Sequence, residues 1–241
     1  METTALKTTI AYESKLVKRN WLFYLFILGI LGYTLGVLIP WNINQVLWSD
    51  VALASSIPSR SVYFLNLFQS LIVAFIVCDI QRKQRKAETR KVLSTRPISN
   101  GKFFLGGFLG ILIPFLTVDV VFMGITMFIN IFIPDSPANL WVNLFYLLTR
   151  TLPTLIFITG LSLLVNKLIK HPFISWLILI IFLYFAYSYL TTPLHGMLDF
   201  RGSLLPDSFS TLVGFTHIED NLLQRSTFLL LGISFLFFAA P

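Results

Sequence analysis

Asp119 and Arg150 are the two ionisable side chains that stand inside long apolar runs, so they are the first candidates for chemistry. A charge at mid-membrane depth costs roughly 3 kcal/mol or more, so such residues are kept where they have a partner or a role. Asp119 falls near the middle of the run 103–133, and Arg150 lies about two turns inside the run 142–166. A short turn joins the two runs. The residues are therefore expected to meet across antiparallel helices, as an ion pair or as the walls of a polar cavity. The alternative is that Arg150 reaches outward alone while Asp119 bonds a backbone or hydroxyl group.

Other groups promise less. His195, Asp199, Asp207, His217, Glu219 and Asp220 share one stretch, but their spacing fits no metal-ligand pattern, so no metal is expected and they are expected to face solvent at the surface. Gly101-Lys102 is followed by Phe103, with no glycine-rich strand before it, so it is not a phosphate-binding loop. Neither HExxH nor G-x-S-x-G occurs. No catalytic residue is expected, and the chain is expected not to be an enzyme by itself.

The elements that hold these residues follow from composition. Of 241 residues, 56% are hydrophobic and 12% charged, whereas soluble domains run near 25% charged. Mean hydropathy is +0.78. The expected fold is an all-α integral membrane protein, forming a single transmembrane domain over 1–241. Its six spans are 21–39, 60–80, 103–133, 142–166, 173–190 and 226–241. The third is long, and Gly106, Gly107, Gly110 and Pro114 are expected to bend or break it. Pro153 is expected to kink the fourth.

Residues 1–20 read as an interfacial amphipathic helix, with Leu6, Ile10, Tyr12, Leu16 and Val17 on one arc and Glu13 awkwardly among them. They do not read as a signal peptide. The stretch 191–225 is too apolar for a solvated loop, so short re-entrant helices covered by protein are expected there. The last span is short and no Lys or Arg follows it, so the chain is expected to continue past Pro241. Gly32 and Gly36 have the spacing of a close helix contact. The lone Cys78 is expected to serve packing.

Charge sets the orientation. The stretch 79–102 carries eight of the eighteen Lys and Arg residues: Arg82, Lys83, Arg85, Lys86, Arg90, Lys91, Arg96 and Lys102. Assigned to the layout above, basic residues number fourteen on one side and three on the other. The richer side, with both termini, is expected to be cytoplasmic. Because the net charge of +7 sits at span ends, orientation explains it and no nucleic-acid partner is expected.

Within that stretch, Val92-Leu93-Ser94-Thr95-Arg96-Pro97-Ile98-Ser99, followed by Phe103-Phe104 and Gly106-Gly107, resembles the membrane subunits of ABC-2 type ATP-binding-cassette exporters. Ala87-Glu88-Thr89 stands where that family has a glycine, and Gly107 where it often has a lysine. The resemblance implies a permease of the cytoplasmic (inner) membrane, multi-pass, with its N-terminus cytoplasmic. It would pair with a second copy or a homologous permease, and with separate cytoplasmic ATPase subunits that carry ATP and Mg. The chain itself would bind no cofactor.

By the same likeness, 82–94 is a coupling helix that presents Arg82, Arg85, Lys86, Glu88, Arg90, Lys91 and Leu93 to the ATPase, and Pro97 fixes the turn back into the membrane. First- and fifth-span faces would form the dimer contact, for which Gly32 and Gly36 are the candidates. Two other functions fit the sequence: the membrane module of a larger, aminopeptidase-fused protein, and a membrane scaffold without transport.

Overall fold

A computed structural model of the chain describes residues 2–39, 54–85, 99–132, 138–169, 171–190, 196–202, 208–210 and 213–240, with side chains from Leu6 onward. The described residues form seven helices when each π turn is counted with the helix it interrupts. These are α1 (Glu2–Lys18), α2 (Trp21–Leu38), α3 (Ser56–Gln84), α4 (Asn100–Ile131), α5 (Leu140–Leu168), α6 (Pro172–Ser188) and α7 (Ile218–Ala239). Two short antiparallel strands, β1 (Phe209–Ser210) and β2 (Gly214–Phe215), pair in the register Phe209↔Phe215 and Ser210↔Gly214.

Five of the helices, α2, α3, α4, α5 and α7, are long and apolar enough to cross a membrane. The sixth expected span, α6, is apolar but has 17 residues, about 26 Å of helix against some 30 Å of hydrocarbon.

α3 is the hub. In its most apolar window 67% of residues are buried, against 28% for α2 and for α7. Around it Phe23, Phe26 and Ile30 of α2 meet Leu65, Ile72 and Ile76, with Phe115 and Phe122 of α4 and Leu155 and Ile158 of α5. Phe26 and Phe115 lie 5.3 Å apart, and Tyr33 stacks on Phe64 at 4.1 Å. Lipid tails are as apolar as these side chains, so hiding apolar surface does little to hold the helices together. Close backbone approach and polar bonds between helices do more.

Glycine supplies the close approach in two places. A Cβ on Gly110 would stand 2.4 Å from Glu13 Cβ, and one on Gly106 would stand 2.8 Å from Thr9 Cγ2, so α1 packs directly on α4. A Cβ on Gly160 would stand 2.6 Å from the Gly232 carbonyl oxygen, where α5 and α7 touch.

This changes the reading of α1 and α4. The buried face of α1 is Thr9, Glu13 and Val17, while Tyr12 is exposed. The residue that looked out of place, Glu13, belongs to the packed face. The glycines of α4 do not break it, since the helix runs from Asn100 to Ile131, through Pro114, without interruption. A proline at 114 gives no N–H to the Gly110 carbonyl. Ser14 Oγ donates to that oxygen at 3.0 Å, and the missing side chain of Gly110 makes room for it. In α5 the π turn Leu147–Thr151 comes immediately before Pro153 and widens the helix where the ring would meet the Thr149 carbonyl.

Two boundaries also change. α3 continues one turn past Ile80, so Arg82 lies in the membrane helix itself and Arg85 forms its C-cap. α7 begins at Ile218 rather than Ser226 and has 22 residues, so Arg225 lies within a helix and not in a loop. Between α6 and α7 the described residues form a turn over 196–202 and the β1–β2 hairpin, and 191–195, 203–207 and 211–212 of the expected re-entrant stretch lie outside the described residues. The hairpin packs Phe215 on Phe145 at 4.1 Å, and the Phe209 N–H donates to Ser55 Oγ at 2.9 Å.

Candidate functional site

A seam of polar side chains runs through the bundle. α3 contributes Ser59, Asn66, Gln69 and Ser70, α4 contributes Asp119 and α5 contributes Arg150 and Thr154. Asp119 is fully enclosed, and its Oδ2 accepts from Gln69 Nε2 at 2.8 Å. Among the described residues, Asp119 Oδ1 and Gln69 Oε1 have no hydrogen-bond partner. Arg150 is also buried; its Nη1 donates to Ser59 Oγ at 2.9 Å and its guanidinium lies 4.7 Å from the Tyr146 ring centre.

The expected Asp119–Arg150 pair is therefore not formed. Their partners on α3, Ser59 and Gln69, are ten residues apart, about 15 Å along the helix axis. Arg150 leaves α5 from the π turn, at the level of the first turns of α3, while Asp119 sits at mid-helix depth.

A second polar node seals the end of the bundle next to the hairpin. Asp199, expected from the sequence to face solvent, is fully buried, and so are Arg201 and Arg225. Asp199 Oδ1 accepts from the backbone N–H of Arg201 at 3.1 Å and from its Nε at 3.0 Å. The Arg201 guanidinium lies against the rings of Tyr187 at 5.3 Å and Tyr63 at 5.8 Å.

Arg225 forks onto backbone: Nη1 donates to Phe200 O and Nη2 to Asp199 O, both at 2.7 Å. Gln224 Nε2 donates to the carbonyls of Gly196 and Met197, each at 2.7 Å. Thr154 Oγ1 donates to Phe200 O at 3.0 Å, and Asn66 Nδ2 donates to Arg201 O at 3.4 Å. Irregular backbone at membrane depth survives only when its carbonyls are satisfied, and here α3, α5 and α7 all supply donors. Gly202, at φ +66°, leaves the space the Arg225 guanidinium occupies. The clue in the sequence was Gln224-Arg225 just ahead of an apolar run, close to the glycine-punctuated stretch it serves.

The third cluster lies at the opposite, basic end, at the foot of the 79–102 stretch. Asp79 accepts from Asn20, Arg82 and Lys83, which ties α3 to the start of α2. Gln84 Nε2 donates to Glu13 Oε1 at 3.0 Å, which ties α3 to α1. Arg85 donates to the carbonyls of Asn166 and Ile169, and Lys167 to those of Phe238 and Ala240. Each cation thus caps the carbonyl end of a neighbouring helix, where the helix dipole favours positive charge. A cavity of about 790 Å³ opens between these contacts, lined by Glu13, Gln84, Arg85, Phe103, Phe104 and Lys167 among others.

Of the residues singled out for partner binding, Arg82 and Arg85 belong to this cluster. Lys86, Glu88, Arg90, Lys91, Leu93 and Pro97 lie outside the described residues. Gly32 and Gly36 face outward, and a Cβ on either would meet no atom within 4 Å. Cys78 is buried and takes a hydrogen bond to Sγ from Asn166 Nδ2 at 3.1 Å. Among the described residues no three His, Cys, Asp or Glu side chains gather as metal ligands do. Comparison of the chain with protein-family models, with curated proteins and with solved structures finds no match.

Proposed function

We propose that this chain is the membrane-spanning permease subunit of an ABC-2 type exporter, driven by ATP that a separate cytoplasmic subunit hydrolyses. One observation carries this reading: the basic stretch is wired at its foot to three other helices. Arg85, where α3 leaves the bundle, holds the carbonyl end of α5, and Lys167 at that end holds the carbonyl end of α7. Gln84 holds α1 in the same turn. A push or pull on 86–98 is therefore delivered to α1, α5 and α7 together, which is what a coupling segment needs to do.

In this proposal α6 completes a six-span layout and both termini are cytoplasmic. The stretch 82–94 is the coupling helix, and the outward faces of α2 and α6 in the half of the bundle away from the basic end, with Gly32 and Gly36, meet the second permease copy. The polar seam of Gln69, Asp119 and Arg150 lies inside one subunit and sets how the helices pack when the coupling segment moves.

The test is purification of the native protein in mild detergent, with the intact mass and vanadate-sensitive ATP hydrolysis recorded. An ATPase subunit in equal amount, lost on joint Glu88→Ala, Arg90→Ala and Lys91→Ala substitution, is the expected result. Absence of any ATPase from the preparation would overturn the proposal in favour of a scaffold or of the membrane module of a larger protein.

A further inference from the structure

A groove of about 730 Å³ opens on the lipid-facing side of the basic end, between the start of α2, the last turns of α3 and the start of α6. Its floor is aromatic: Phe75 and Trp176 lie 4.6 Å apart, and Phe173 is 5.8 Å from Trp176. Its rim is cationic, with Arg19, Arg82 and Lys83, and His171 beside them. The one carboxylate in the lining, Asp79, is already engaged by Asn20, Arg82 and Lys83. Three cations against one carboxylate leave the rim positive. Among the described residues the Arg19 and His171 side chains make no hydrogen bond, and the buried indole Nε1–H of Trp176 has no acceptor. The N-terminal end of α6, the positive end of its dipole, opens beside them.

We infer that this groove binds one anionic phospholipid of the adjoining leaflet, its phosphate on the Arg19–Arg82 rim and the Trp176 Nε1–H, its acyl chains along the outer faces of α2 and α6. Charge complementarity selects an anion. The groove's continuation selects a lipid over a soluble anion, because Trp21 is 68% and Phe173 61% exposed directly below the rim. Leu25 and Leu28 of α2, and Leu177 and Ile181 of α6, extend that apolar surface toward the membrane centre. Aromatic side chains at this level, with Lys and Arg beside them, mark the headgroup boundary of a bilayer.

Native mass spectrometry of the full chain in detergent tests this, with palmitoyl-oleoyl phosphatidylglycerol and palmitoyl-oleoyl phosphatidylcholine titrated separately. The first phosphatidylglycerol should bind at least about fivefold more tightly than phosphatidylcholine, and each cation removed (Arg19→Gln, then Arg82→Gln) should cost about fivefold in that preference. Trp176→Phe keeps the ring and removes the donor, so it should weaken phosphatidylglycerol binding and leave phosphatidylcholine unchanged. A thermal melt accompanies each variant, and the Trp176→Phe result decides the matter should an arginine variant fail to fold. Equal binding of the two lipids, or a preference untouched in all three variants, would overturn the inference. So would displacement of phosphatidylglycerol by 10 mM inorganic phosphate, which would make the site one for a soluble anion.

Discussion

Replacing Arg225 by Gln removes the two charge-assisted hydrogen bonds that reach the 196–202 turn, at Phe200 O and Asp199 O, together with the local ones to Gln224 Oε1, which are left out of the sum that follows. Bonds of this kind contribute about 1.5–3 kcal/mol each. Each carbonyl keeps a second donor, Thr154 Oγ1 on Phe200 O and Gln224 Nε2 on Asp199 O, so the lower figure applies. The expected loss is then about 3 kcal/mol in total, or roughly 6–12 °C in melting temperature for a chain of this size. Gly202→Ala attacks the same node from the other side. Its Cβ would stand 2.5 Å from Arg225 Cζ, at φ +66°, where a side chain alone costs about 1–2 kcal/mol. The double variant should lose less than the sum of the singles by about 1 kcal/mol, because the clash of the added methyl group depends on the arginine being present.

The chain contains a reporter for this experiment. Cys78 is its single cysteine and is buried, so a thiol-reactive dye reads unfolding directly. An Arg225→Gln melt within 2 °C of the parent would refute the account of the node. Strict additivity in the double variant would refute the Gly202 contact.

Two further outcomes follow from the same geometry. Ser14→Ala should cost about 1 kcal/mol in the parent chain, and near nothing in a Pro114→Ala background, where residue 114 regains an N–H for the Gly110 carbonyl; the same dye melt, run as a double-mutant cycle, checks it. Asp119→Asn keeps an oxygen facing Gln69 Nε2 and should leave the melt within about 1 kcal/mol of the parent, whereas Asp119→Leu orphans the amide and should cost about 1–3 kcal/mol. A larger loss for Asn than for Leu would mean that the carboxylate charge itself is held by something other than Gln69.

The long helices were legible in the sequence because apolar length alone defines a span, and five of them fall where hydropathy places them. Their ends were less legible. Arg225 read as loop because a charge normally ends a span, yet it is buried against carbonyls about 25 residues earlier in the chain. Asp199 and Glu13 misled in the same way. A buried charge is recognised by its partners, and theirs come from segments that no local window contains. Gly106 and Gly110 were visible as small residues, but bending and grooving look alike until the partner helix is known. For Asp119 and Arg150, sequence placed both inside apolar runs and left their burial open, while the π turn from which Arg150 projects left only Pro153 as a trace.

The bond from Ser14 to the Gly110 carbonyl also sets an order of assembly. Its two residues are 96 positions apart, so at about 5–20 residues per second the ribosome finishes the acceptor roughly 5–20 s after the donor. Through that interval α1 has no groove to enter, because the glycines that form the groove have yet to be made. When α4 does enter the membrane, its proline brings a bare carbonyl with it, a defect that only the waiting helix fills. α1 is thus made well before its groove exists, and its docking on α4 waits for the synthesis of Gly106 and Gly110.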